Sequence, residues 1–350
     1  MNQQIKGKDF LMNILNGLAI GTVVVLIPGA LLSELFKALL PSAPYLQVAI
    51  NALTMSNSMM GLVVGIMIGL NFKFNPIQAA SVGIATIFAS GAVQFDAKGQ
   101  MLLNGTGDVI NMGLTAAMAA GLILLFGNKL KSYTILVIPA LVLMVCGTIG
   151  YLILPYVKMI TTLIGQGVAH LLNLQPILMC ILLAVIFSIL IVSPITTVGI
   201  ALAISLAGVG SGAANIGICA TGFGFAIMGW HVNSKGTSLA HFIGSPKMSM
   251  ANVVKKPLIL LPIICAAACS GVIAALWNIQ GTPMSAGFGF SGLVGPINYL
   301  NLAPGTWSVV NILKALVAFV VAPVGFNILF KYLFMKVKPI LKEDDYYLDV

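Results

Sequence analysis

The sequence predicts an all-α polytopic integral membrane protein with about ten transmembrane helices, one interfacial amphipathic helix and two candidate re-entrant hairpins. Three observations carry this. Of the 350 residues, 59% are apolar and only 7% charged, against roughly 45–50% and about 25% in ordinary soluble domains. Apolar runs long enough for spans of about 20 residues follow one another almost end to end. They are continuous blocks, unlike the ~10-residue alternating segments of a membrane barrel.

Spans are expected at about 11–33, 46–71, 76–95, 108–126, 133–156, 176–193, 195–210, 213–231, 257–278 and 308–333. Lys6 and Lys8 precede the first run as in a signal peptide, but "VVVLIPGALLSELF" offers no small-x-small cleavage site, so this helix is expected to be retained. With the N-terminus inside, thirteen of the lysines, Lys129 and Lys131 among them, fall on the inner side. Lys37, Lys98, Lys158 and Lys314 fall outside. The +9 net charge is thus a topology signal with both termini cytoplasmic, and no nucleic-acid partner is expected, since no soluble basic module exists.

Three segments do not fit plain spans. Val157 to Gln175 is short and polar, which predicts an amphipathic linker lying on lipid. It divides the chain into a five-helix scaffold half (1–156), the linker (157–175), a transport half (176–338) and an acidic cytoplasmic tail (339–350). Gln280 to Asn301 is lysine-free and has five glycines, a composition stable at membrane depth only if buried in protein or lining a watery cavity. "GWHVNSKGTSLAHFIGSPKM", Gly229 to Met248, holds two of the three histidines. It predicts the end of a span followed by a re-entrant hairpin.

Outside the tail the acids are Asp9, Glu34, Asp96 and Asp108, all at or beyond predicted span ends. Ion-coupled carriers commonly keep a carboxylate within the membrane, and here that role would fall to Glu34 or Asp108 after a boundary revision, or to His231 and His241. So few buried charges suit an uncharged polar solute, held by Asn, Gln, Ser, Thr and His, with Trp230, Phe288 or Phe290 stacking on it. The candidate substrate-binding residues are His241, Asn233, Ser245, Asn215 and His231. Asn215 lies in "SLAGVGSGAANIGICATGFGFAIMG", a seven-glycine stretch that fits either close helix packing or a substrate-lining break. Gly61, Gly65 and Gly69 repeat every four residues and predict a close helix contact, with a helix of the same chain or of another subunit. Cys265 and Cys269 share a helix face with no acid or histidine nearby, so neither a metal nor another cofactor is expected.

Two stretches, "SPITTVGIALAISLAGVGSGAANIG" and "IGSPKMSMANVVKKPLILLP", resemble the membrane (IIC) subunits of the bacterial sugar phosphotransferase system, in the branch that includes perfringolysin-regulator-type membrane proteins. The resemblance implies a homodimeric ten-helix permease of the bacterial plasma membrane, in which one half is the dimer scaffold. The other half carries sugar with two re-entrant hairpins, and His241 sits on the first, near the sugar. Glucose-type relatives place a glutamate on the second hairpin, whereas Gln280 to Asn301 contains no acid. The chain has no IIA or IIB domain, so phosphocarriers would come as separate proteins. Two alternatives stay open: a sensor or regulator that keeps the permease fold, and an ion-coupled or facilitative carrier.

Overall fold

The computed structural model describes residues 6–127, 129–130, 133–283 and 285–348. Lys131 and the side chain of Glu34 lie outside the described residues. The chain divides into two compact units: Met1–Gly29 with Phe36–Met159, and Ala30–Leu35 with Ile160–Val350. Among the described residues, six helical stretches are long and apolar enough to cross a membrane and a bent pair makes a seventh, with two shorter apolar helices besides. The protein is an all-α polytopic membrane protein.

The first unit opens with α1 (Gly7–Leu39). α2 (Leu46–Ser58) and α3 (Met60–Asn71) form one apolar run bent by 50° at Met59. α4 (Pro76–Ala89) starts on an Asn75–Gln78 capping box with Pro76 just inside the helix, where its missing N–H costs nothing. The glycine stripe of α3 packs on α4. A Cβ on Gly65 would fall 2.7 Å from the Gly83 Cα, and one on Gly69 2.7 Å from the Ala79 Cα. The partner of the stripe is therefore the next helix of the same chain. A small antiparallel hairpin, β1 (Val93–Phe95) and β2 (Met101–Leu103), leads to α5 (Val109–Phe126). Asp108 is the N-cap of α5, its carboxylate accepting from the Asn111 N–H at 2.8 Å. The Asn111 side chain donates to Ala89 O (2.6 Å) and Gly150 O (2.9 Å), tying three helices together.

α6 (Thr134–Leu141), a π-helical stretch (Val142–Gly147) and α7 (Thr148–Ala169) run on as one helix that ends in a 3-10 turn at Asn173. Its 40 residues reach about 60 Å at 1.5 Å per residue, twice the hydrocarbon core. The segment expected as a linker helix, 157–175, is thus continuous with the helix before it as far as Asn173. No glycine or turn sequence interrupts it near Pro155, and buried positions at 157, 161, 165 and 168 keep one helical stripe.

The second unit is built around α10 (Gly208–Met228). It is preceded by α8 (Pro176–Leu190) and the short α9 (Thr197–Ala203). The expected span over 195–210 does not form as one helix. α9 has seven residues, about 10 Å of rise, and the chain turns at Ser205 and Gly208, both with positive φ. α10 is unbroken and 18 of its 21 residues are buried, so its glycines serve close packing. A side chain at Gly217 would strike the backbone of Ala184 in α8, and one at Gly222 would meet the Phe242 Cα at 2.9 Å. Then follow α11 (Lys235–Ile243), a 3-10 turn (Pro246–Ser249), α12 (Met250–Lys255), a second 3-10 turn (Pro257–Leu260) and α13 (Leu261–Leu276). Irregular backbone from Ile279 leads through a 3-10 turn to α14 (Val294–Leu302). α15 (Val309–Leu316), a π-helical stretch and α16 (Ala322–Tyr332) form the last long helix before the tail.

Candidate functional site

The segment after α13 does not cross as a helix. It folds back against α10, and its non-helical backbone finds partners inside the protein, as membrane depth would require. Gly208 and Gly281 pair as an isolated antiparallel bridge. Ser211 Oγ donates to Thr282 O at 2.9 Å, and Thr197 Oγ1 to Gly287 O at 3.0 Å. Asn215 Oδ1 accepts from the Gly289 N–H at 2.9 Å, and its Nδ2 reaches Ser285 Oγ at 3.4 Å. Asn298 of α14 closes the loop, its Oδ1 accepting from Thr282 N and Ser285 Oγ, both at 2.9 Å.

Along α10, Ser211, Asn215, Cys219 and Gly222 follow at helical spacing on one face. The segment after α13 covers the first three, since a Cβ on Gly289 would meet Ile218 and Cys219. The α11 hairpin covers the last, at Gly222. The two segments therefore meet on this face, where Ser291 Oγ donates to Gly244 O. Between them lies a closed recess with no room for a water molecule, lined by Ile218, Cys219, Gly222, His241, Phe242, Pro246, Phe288, Phe290 and Ser291.

His241 is 1% exposed. Its Nδ1 faces the Ser238 carbonyl at 3.3 Å and its Nε2 the Ser249 hydroxyl at 2.8 Å. A carbonyl only accepts, so Nδ1 carries the proton and Nε2 accepts from Ser249. Burial pulls the pKa of the ring below the usual histidine range, against the pull of the backbone hydrogen bonds from Ser238 and Thr237, which favours a neutral ring. Phe225 stacks on it at 5.6 Å between centroids. Phe223, Phe242 and Phe290 form an aromatic cluster beside it, with centroids 4.6–6.0 Å apart.

The five sequence-predicted residues separate into two groups. His241 is in the recess wall, Asn215 is one helical turn from Cys219, and Ser245 is buried beside Pro246 as the cap of the 3-10 turn, accepting from Lys247 N–H at 3.3 Å. Asn233 and His231 are elsewhere: Asn233 holds Tyr346 and Leu348, and His231 faces Glu343 at 3.0 Å. Phe288 and Phe290 line the recess, whereas Trp230 is 40% exposed and does not.

Lys247 is the residue that sequence reasoning missed, having counted it as a cytoplasmic topology lysine. It is buried, and Nζ donates to the carbonyls of Ser193 and Ile195, the latter at 2.9 Å. Burial lowers its pKa, while the two carbonyls favour the ammonium form. It bolts together two Ser-Pro turns of the same design, since Ser193 Oγ accepts from Ile195 N–H at 3.1 Å as Ser245 does from Lys247. The signal in the sequence was the repeated Ser-Pro, once followed by isoleucine and once by lysine.

No curated protein and no solved structure matches the chain. A protein-family model described as "Phosphotransferase system, EIIC" matches residues 12–348. That match covers both units and every element of the recess, and the chain belongs to the phosphotransferase system EIIC family.

Proposed function

We propose that the protein is the permease component of a sugar phosphotransferase system, moving an uncharged polar solute, a sugar, through the recess between its two re-entrant elements. One observation carries the reading. The two elements meet on a single face of α10 around a buried histidine and three phenylalanines, and among the described residues no carboxylate lines the recess. A neutral imidazole beside aromatic faces suits a sugar, whose hydroxyls need hydrogen bonds and whose C–H faces stack on rings. The absence of an acid there argues against an ionic solute. In this reading the residues of the two units carry the membrane passage, and they work with phosphocarriers of the IIA and IIB type. In this reading it works as a homodimer in the bacterial plasma membrane, its exposed apolar helices facing lipid and both termini in the cytoplasm.

A solute-sensing regulator on the same fold is the second reading. It is favoured by the small recess, whose histidine nitrogens are both already bonded within the protein. Uptake separates the two. Proteoliposomes holding the purified chain are given labelled sugars with and without phosphorylated carrier protein inside. Accumulation of a phosphorylated sugar supports the permease, and a sugar that stabilises the protein without entering supports the regulator.

A further inference from the structure

The long helix α15–α16 is followed by residues 342–348, a short segment that is held as firmly as a core element. Glu343 takes the Nδ1 of His231 at 3.0 Å and the Nζ of Lys331 at 2.6 Å. Asp345 takes the Nζ of Lys256 at 2.7 Å. The Asn233 amide donates to Tyr346 O at 2.9 Å and accepts from Leu348 N at 2.8 Å, reading the peptide backbone as a neighbouring strand would. Asn252 donates to Tyr347 O at 2.6 Å. Tyr346 is 1% exposed, with its hydroxyl on Ile259 O at 2.8 Å.

The contacts lead to the recess. The Tyr346 ring packs edge-on against Phe225, with centroids 6.0 Å apart, and Phe225 is the ring that stacks on His241. The receiving groups come from the loop after α10, from α12 and the residue that ends it, from the 3-10 turn before α13 and from α16, so the tail spans both ends of the hairpin that carries His241. We propose that this face of the second unit is a seat for an acidic, tyrosine-bearing peptide segment, filled here by the chain's own residues 342–348, and that filling it holds the recess shut. The opposite charges match across it: Glu343 pairs with Lys331 and Asp345 with Lys256, and His231 lies within hydrogen-bond distance of Glu343. The proposal rests on reading the recess as the solute site, but its test needs no solute.

Cys219 lines the recess and is 1% exposed, so its modification by a small methanethiosulfonate reports opening. In the full chain with Cys146, Cys180, Cys265 and Cys269 replaced by alanine, Tyr346→Ala should speed labelling of Cys219 roughly tenfold or more, the effect of losing one hydrogen bond to a buried group and its packing. Glu343→Gln with Asp345→Asn, which keeps the buried ring, serves if Tyr346→Ala does not fold. In a chain ending at Pro339, a synthetic peptide of residues 340–348 should slow labelling again, and the same peptide with both acids neutralised should not. Labelling that stays at the parent rate in folded tail variants overturns the proposal, as does equal slowing by a scrambled peptide. If the tail controls labelling and yet no sugar is bound or moved, the latch stands and the permease reading falls.

Discussion

Gly65 offers a sharp test of how the first unit is packed. An added Cβ would lie 2.7 Å from the Gly83 Cα and 2.8 Å from Val82 O, about 0.7 Å inside the ~3.4 Å of an ordinary carbon contact. Both obstacles are backbone, so no rotamer change relieves them and α3 must move away from α4. Overpacking of this kind costs about 1–3 kcal/mol. In a membrane, helices are held together largely by close packing, which makes the stripe a major part of the α3–α4 contact. Gly121 of α5 is the control, because a Cβ there meets nothing within 4 Å. Alanine at that position should be neutral or stabilise by about 0.5–1 kcal/mol, the helical advantage of alanine over glycine. Thermal melting of the purified variants in mild detergent reads both. The reasoning is refuted if Gly65→Ala melts at or above the parent temperature, or if Gly121→Ala lowers it as much as Gly65→Ala does.

Lys247→Met removes the donor to two buried carbonyls and should destabilise the protein by about 1–3 kcal/mol. Lys247→Arg, too broad for the same seat, should not restore it, and melting temperatures check both. His241→Gln should keep part of the solute affinity that His241→Ala loses, as read by thermal shift in the presence of a stabilising sugar. The same binding at both variants as in the parent between pH 5.5 and 8 would remove His241 from the site. Burial alone would raise the Glu343 pKa, but the hydrogen bonds and charges of Lys331 and His231 outweigh it and hold the carboxyl below its usual value; Lys256 and Lys342 do the same for Asp345. A depressed carboxylate gives its stabilisation above the unfolded pKa, about 4, and loses it as pH falls through the folded one. The carboxylate contribution to tail docking should therefore be lost as pH falls through the carboxylate range, which protease cleavage after Lys342 as a function of pH will show.

The membrane class and most helices were legible because apolar content and run length answer directly to the bilayer. The fold-back of Gln280 to Asn301 was legible for the same reason: glycine-rich apolar backbone without lysine must be buried in protein. The seven-residue α9 was not. Its apolar run continues through Ser205 and Gly208, and only the positive φ at those two residues, which composition does not fix, ends the helix. Asn215 and His241 stood out as strong hydrogen-bonding groups in apolar surroundings. Their partners, Gly289 and Ser249, depend on how distant segments fold together. Lys247 and Tyr346 were hidden by type, since a lysine near a span end and a tyrosine in an acidic tail normally meet water. Nothing in the sequence around His231 and Asn233 told of the tail they hold, more than a hundred residues away.

The central claim is that an uncharged sugar occupies the recess between the two re-entrant elements. Its most direct measurement is solute protection of Cys219. Sugars are first screened for thermal stabilisation, where a ligand at 100 times its dissociation constant adds about 2.7 kcal/mol, and the thiol labelling rate of Cys219 is then read against the concentration of the stabilising sugar. The account predicts that labelling slows along the same binding curve as the thermal shift. Labelling of Cys219 that is indifferent to a sugar that stabilises the protein would contradict it.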